Sequence, residues 1–384
     1  MFDKSVERFP ISSEYVFLGS SSVSPLSAAA CEAELEFSRV HRDRGFTLFE
    51  RYRNVMHSLR AAGAELLQVP SEDVAFVSNC AEGLSMIANG FPFEPGDEIV
   101  SYTAEYPSNH YPWVIQQARG VVLKLLPDRN LFGFPAEERP VGWSIEDLER
   151  TIGPRTKLVA LSHVQFTSGF AADLDTLGAF CHERGIPLVI DAAQSLGAMP
   201  ILPREWRISA LVSSGWKWLL GPLGTGLFYT SPEFRARIGH TMAGPELMKQ
   251  GDDYLNHTWN PLASAERFEY STTPFALAYA LEAAIRDNAL RYGVQAIWQE
   301  ISRLQKLVIS ALDTSRCTPL LFPEENRSGI LSVITRRPAT EVARELIKHK
   351  VVCTARGGYL RIAPHYYATD DDTLRAVQLL NSLL

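Results

Sequence analysis

The feature that most constrains this chain is a rhythm. Short, nearly continuous apolar runs alternate with amphipathic stretches from about residue 73 to residue 230. "DVAFVSN", "DEIVSYTAE", "VVLKLLP", "TKLVALSHV", "IPLVIDAAQ", "ALVSSGWK" and "GTGLFYT" read as strands. "EGLSMIANG", "HYPWVIQQARG" and "LDTLGAFCHERG" between them have helical spacing. Strands apolar on both faces must be covered on both faces, which a parallel sheet between helices provides. The expected fold is therefore α/β. A large domain, residues 15–260, holds a mostly parallel seven-stranded sheet covered by helices, after a helical stretch from about Glu32 to Leu67. Beyond "RFEYSTTP" come "FALAYALEAAIRDNALRYG" and "VQAIWQEISRLQKLVISALD", both helical in pattern, then shorter α/β material. This section, residues 261–384 with the N-terminal 1–14, is expected to form a smaller α+β domain.

The chain has 384 residues, long enough for a substantial core, and a net charge of −7. No basic run is present, which argues against nucleic-acid binding and against an anionic membrane surface. Five cysteines are scattered without CxxC pairs, so neither a disulfide framework nor a metal site is expected. With no apolar leader and no run of membrane length, a cytoplasmic location is expected.

Four polar signals fall where these strands end, and in open parallel sheets ligands bind there. "SNCAEGLS" turns from strand to helix with small residues, which suits a phosphate at a helix N-terminus. Asp191 ends the apolar run "LVID", and so placed it needs a cationic or donor partner. "EYPSNHYPW" offers Tyr106, His110 and Tyr111 as stacking material. In "SGWKWLLGPLGTG" a single charge, Lys217, stands between Trp216 and Trp218. Taken singly, each has a plainer reading: an ordinary turn, a helix cap, core aromatics, a snorkelling lysine. Taken together they supply a phosphate cradle, an acid for a ring nitrogen, a stacking ring and an amine, which pyridoxal 5′-phosphate (PLP) requires.

The ordered set "AEG…EYPSN…DAAQ…SGWKWLLGPLGTG…RFEYSTTP…RGGYLRIAPHYY" resembles the class V aminotransferases, the cysteine desulfurase-like group of fold-type I PLP enzymes. The resemblance spans nearly the whole chain. It implies that Lys217 forms the Schiff base, that Asp191 partners the pyridinium, and that Gln194 contacts the phenolic oxygen of the cofactor. It places Tyr106 and Ala193 on the two ring faces, and Ala81, Glu82 and Ser214 at the phosphate. Thr272 matches a phosphate contact donated by a neighbouring subunit, which implies a homodimer with a shared site. Arg361 matches the residue that holds the substrate α-carboxylate, and Gln165 stands as a weaker substrate-binding candidate.

The sequence departs from the desulfurase pattern at three places. Trp216 precedes the lysine where desulfurases usually have histidine. The segment after "SHV" reads Gln165-Phe166-Thr167 instead of presenting asparagine. No cysteine occupies the expected nucleophile loop, and Cys353, in the apolar run "KVVCTARGG", reads as core. The expected function is thus PLP chemistry on a small amino acid, by transamination or C–S/C–Se lysis. Cysteine desulfuration proper and epimerase- or kynureninase-like activity stand as alternatives. Outside PLP chemistry, Ser214-Gly-Trp-Lys217 satisfies S-x-x-K, with Tyr254-Leu-Asn256 as a second element, but "GPLGTG" follows at once and no K-T-G appears. A non-catalytic binding protein of the same fold is a further alternative.

Overall fold

The computed structural model describes residues 1–135 and 138–384. Strand β1 is Val16–Phe17, and helices α1 (Ala28–Arg44) and α2 (Phe49–Leu67) follow. Then β2 (Val74–Val77), α3 (Cys80–Gly90), β3 (Glu98–Tyr102), α4 (Tyr111–Val114) and β4 (Val122–Leu126) alternate. They continue as α5 (Ile145–Thr151), β5 (Thr156–Ser162), α6 (Leu174–Glu183), β6 (Leu188–Asp191), β7 (Ala210–Ser214), β8 (Gly226–Thr230) and α7 (Pro232–Arg235). The C-terminal part comprises α8 (Phe275–Ala284), α9 (Val294–Ala311), β9 (Cys317–Pro319) and β10 (Leu331–Thr335). It ends with α10 (Ala339–Lys348), β11 (Val351–Val352), β12 (Thr354–Arg356), β13 (Tyr359–Ile362) and α11 (Asp370–Leu383).

Seven strands form one sheet in the order β2-β8-β7-β6-β5-β3-β4. Only β8 runs against its neighbours. Every residue of β2, β6, β7 and β8 is buried, as an apolar strand covered on both faces must be. From β3 the chain crosses outward to β4 and then returns to β5 on the other side of β3. The order reverses there, and the crevice beyond the carboxyl ends of β3 and β5 is where such sheets take ligands.

The second sheet, β12-β13-β10-β9, is antiparallel. Helix α9 buries Ile297, Ile301, Leu304 and Val308 along one helical face, and Leu304 and Val308 share a core with Leu331, Val333 and Leu360 of this sheet. Two segments sit differently from expectation. Val16–Phe17, read as the start of the large domain, pairs with Val351–Val352 and packs among the C-terminal core residues. Helix α8, read as part of the small domain, places Ala278 and Leu281 in the main core with Leu59 and Leu227. The run "HYPWVIQQARG" forms only one α turn before tightening into a 3₁₀ segment, Ile115–Arg119.

The turn after β7 is pinned from several sides. The Gly215 N–H donates to the Thr225 carbonyl at 2.7 Å, and the Ser24 N–H to the Trp216 carbonyl at 2.9 Å. The Trp218 carbonyl meets Nε2 of the fully buried His365 at 3.1 Å. Gly197 makes this approach possible: its φ is +97°, and a Cβ there would stand 2.5 Å from the Trp218 oxygen. Gly197→Ala is therefore expected to destabilise the fold by more than about 1 kcal/mol, since both the left-handed backbone and the contact are lost. Urea unfolding tests this, with a lowered midpoint at unchanged slope as the expected result.

Candidate active site

The carboxyl ends of β2, β3, β5, β6 and β7 surround a cavity of about 300 Å³. Lys217 reaches it from the turn beyond β7, which ends at Ser214, three residues short of the lysine. Trp216 lines the same wall, whereas Trp218 is 1% exposed and donates its indole N–H to Gln194 Oε1 at 3.2 Å. One indole thus faces the cavity and the other anchors the turn. A wider cleft of about 620 Å³ lies at the opposite ends of the strands, lined by Ile186, Ser209, Arg204 and Arg207 among others. None of the four sequence signals opens there.

Asp191, at the last position of β6, is 4% exposed, and its Oδ1 accepts the Ala193 N–H at 2.9 Å. Burial raises its carboxyl above the ordinary value, opposed by the Ala193 N–H, the Lys217 charge and the Cys80 thiol. Burial lowers the Lys217 amine, and the facing Asp191 carboxylate is the largest opposing influence. Each group offsets part of the other's desolvation.

Gln194 donates from Nε2 to the Ser21 carbonyl at 2.9 Å and lines the cavity beside Ala193. The half-exposed Tyr106 presents its ring 5.5 Å from Lys217 Nζ and stands edge-on to Phe166. Arg361, on β13, is 2% exposed and is held by Thr354 Oγ1 at 2.9 and 3.2 Å and by the Phe166 carbonyl. Burial, followed by the nearby Arg356, lowers its guanidinium to about 9. No carboxylate pairs with it among the described residues.

Other expected residues fall outside the wall. Ala81 and Glu82 lie in the first turn of α3, beside the lining residues Asn79 and Cys80. Asn79 caps that helix by accepting the Glu82 N–H, while the Glu82 carboxylate accepts the Ser78 N–H. The N–H groups of Cys80 and Ala81 have no partner within the helix and point from its N-terminus. Gln165, expected as a substrate-binding candidate, does not line the cavity: it is 1% exposed, its amide donates to Glu105 at 3.4 Å, and Phe166 takes the wall position instead. Thr272 is exposed and lies outside the cavity. His110 and Tyr111 do not line it either. Cys353 is buried between β11 and β12 with its thiol pushed up to about 12, which is core behaviour. Ser214 closes a strand instead of opening a helix, so the S-x-x-K geometry is absent, and Tyr254 is exposed elsewhere.

The lining also contains residues given no role above: Ser21, Cys80, Ser108, Phe166 and Arg356. Ser21 lies in "GSSSVSP" near the start of the chain and Arg356 opens "RGGYLRIAPHYY" near its end, and only the fold shows that these distant segments meet.

Residues 16–375 match the family model described as Aminotransferase class-V. The chain belongs to that family. Across 404 aligned residues it is 25% identical to a probable cysteine desulfurase of Methanothermobacter thermautotrophicus, covering 98% of this chain and 95% of that one. Its fold matches an apo cysteine desulfurase from Thermococcus onnurineus NA1 with TM-score 0.84 and 23% identity, over 97% of this chain and 96% of that chain. It also matches the cystine C–S lyase C-DES, solved with its product cysteine persulfide, with TM-score 0.87 and 20% identity, over 97% and 99% of the two chains.

The family is one of PLP-dependent enzymes, and the residues present suit that cofactor. The hydroxyls of Ser21 and Ser214 are buried without a hydrogen-bond partner, and both line the cavity. A phosphate and a phenolic oxygen are the acceptors such orphans require. Lys217 would hold the aldehyde carbon, Asp191 the ring nitrogen, and the start of α3 with Ser214 the phosphate.

Behind the site, the buried Glu105 accepts the Ser162 N–H at 2.7 Å and the Ser162 hydroxyl. Burial nevertheless raises it from 4.5 to about 7, with the Asp191 charge adding to the rise. Between those values the folded protein holds a proton that the unfolded chain releases. The contribution of Glu105 to stability therefore falls as pH rises from about 4.5 to about 7. Urea titrations across this range should show Glu105→Gln removing up to about 1.4 kcal/mol per pH unit of that slope.

Proposed function

We propose that this chain is a PLP-dependent enzyme that binds a small amino acid by its α-carboxylate and cleaves a bond at Cα or in the side chain without a persulfide-forming cysteine. The observation carrying this is the meeting of three groups in one cavity: an amine lowered by burial, a buried carboxylate facing it, and a buried guanidinium without an acid partner.

PLP supplies an electron-withdrawing ring that stabilises negative charge at the substrate Cα. The residues do the rest. Lys217, partly desolvated, presents a neutral amine at lower pH than a surface lysine, as a nucleophile needs. Once free of the cofactor, the same Nζ can take or return the proton at Cα. Asp191, buried and negatively charged beside the amine, would favour a positive charge on the ring nitrogen. Arg361 fixes the carboxylate and so decides which Cα bond is held for cleavage. Tyr106 and Ala193, both on the cavity wall, would cover the two faces of the ring and exclude water from it.

Against desulfuration proper stands the placing of the thiols. Cys80 is the one cysteine that lines the cavity, and it is 6% exposed, held against Asp191, with its thiol pushed well up by burial. A protonated, enclosed sulfur is a poor nucleophile. The structural neighbours include a cystine C–S lyase beside cysteine desulfurases, so lysis of that kind is compatible with this fold. The purified protein is expected to be yellow, and borohydride reduction followed by peptide mass analysis should find the pyridoxyl group on Lys217. Lys217→Ala should lose both colour and adduct. Stoichiometric alanine and sulfide from cysteine, abolished by Cys80→Ala, would overturn the lyase reading in favour of desulfuration.

The homodimer is part of the same proposal. Leu255 is 90% exposed, and Tyr254 and Trp259 beside it are each 57% exposed, an apolar cost that a second copy would remove. Sedimentation at micromolar concentration should give a dimer. Thr272→Ala should then loosen PLP retention although Thr272 lies outside its own cavity.

A further inference from the structure

The cavity holds more positive charge than the reading above uses. Lys217, Arg356 and Arg361 line it against one carboxylate, Asp191. In that reading the amine is taken by the cofactor, Asp191 by the ring nitrogen, and Arg361 by the α-carboxylate. Arg356 is left over.

Its position is set by the β12–β13 hairpin. Arg356 stands opposite Tyr359 and Thr354 opposite Arg361, so both arginines occupy the same face of the ribbon. As diagonal neighbours on adjacent strands their backbones lie roughly 7–8 Å apart. The hairpin tip is tightly seated: Gly357 has φ +54°, and a Cβ there would stand 2.7 Å from Thr167 Cγ2. Arg356 is exposed, and its Nη1 donates to the adjoining Ala355 carbonyl at 2.8 Å. It has no acid partner among the described residues. Its charge opposes the protonation of both Lys217 and Arg361. Two like charges set side by side at a cavity mouth are unfavourable unless an anion joins them. A guanidinium fork is the side chain best shaped to grip an oxyanion in two places.

We propose that Arg356 receives an oxyanionic group on the substrate side chain, so that the preferred substrate is a short amino acid with two acidic groups. This rests on the reading that Arg361 holds the α-carboxylate. A neutral side chain would leave the Arg356 guanidinium without a partner, whereas a carboxylate would give this one arginine the oxyanion it lacks.

The test uses the PLP-loaded protein and the variant Arg356→Gln, with thermal melting to confirm that both are folded. Calorimetric titration compares succinate with propionate as unreactive probes, and steady-state assays compare aspartate with alanine. The wild type should bind succinate about tenfold to a hundredfold more tightly than propionate, the range of a charged hydrogen bond. Arg356→Gln should erase that preference and lower the aspartate-to-alanine ratio of kcat/KM by a similar factor, mainly through KM. Arg356→Lys should recover part of it. Equal binding of the two probes by the wild type overturns the proposal, as does an equal fall on both amino acids. So does loss of PLP from Arg356→Gln, which would assign this arginine to the cofactor phosphate. Borohydride labelling of the same samples separates the two levels: no Lys217 adduct in the wild type sinks the functional reading, whereas an intact adduct without acid preference sinks only this inference.

Discussion

An ammonium and a carboxylate facing each other inside the protein are the interaction on which this architecture turns. Neither Lys217 nor Asp191 is tolerable alone at its depth, because a lone buried charge costs several kcal/mol. Asp191 ends β6, whose other residues are apolar and buried, and Lys217 stands three residues beyond β7, a strand buried along its whole length. The sheet therefore does two jobs with one pattern. Its apolar runs hold the fold together, and their abrupt polar endings concentrate charge on a single edge. Because β6 and β7 are parallel neighbours, those endings fall side by side.

Much of this could be read from residues in order, and the reason is local. A parallel strand covered on both faces leaves a contiguous apolar signature, and a polar residue breaking it marks the edge where ligands bind. Asp191 was legible for that reason, whereas Ala193, Gln194 and Ser214, which line the same cavity, were singled out by the family resemblance. Residues whose role depends on which distant segments meet were not. Val16–Phe17 reads as an ordinary apolar pair, yet it takes its partners from Val351–Val352. Helix α8 carries an apolar face that fits either domain, and only packing against α1 and α2 decides. Gln165 and Phe166 are adjacent in sequence, but which of them turns to the cavity is decided by the buried Glu105, which claims the amide. Cys80 was hidden inside a turn read for its backbone.

Family membership narrows the chemistry without naming the substrate. Relatives and structural neighbours are described as cysteine desulfurases, a cystine lyase and uncharacterised aminotransferases. The parts that such enzymes must share, an amine, an acid, a phosphate cradle and a carboxylate receptor, are drawn here from the ends of the large sheet and from β13. The parts free to differ are at the mouth: Trp216 before the lysine, Phe166 after β5, and Arg356 at the hairpin. Trp216 and Phe166 come from loops and Arg356 from the last position of β12 at the hairpin tip, places where variation is less costly to the core.

The bond between His365 and the Trp218 carbonyl joins the two sheets at the point where it matters most. His365 follows β13, the strand carrying Arg361, and Trp218 adjoins Lys217. Burial holds the imidazole well below its ordinary proton affinity, at about 4, so the contact keeps one electrical state across the neutral range. Lys217 and Arg361 are in effect mounted on a common bracket. A chain cut short after α9 would keep every strand of the large sheet and still lose both guanidiniums of the cavity, because Arg356 and Arg361 arrive from the far end of the polypeptide.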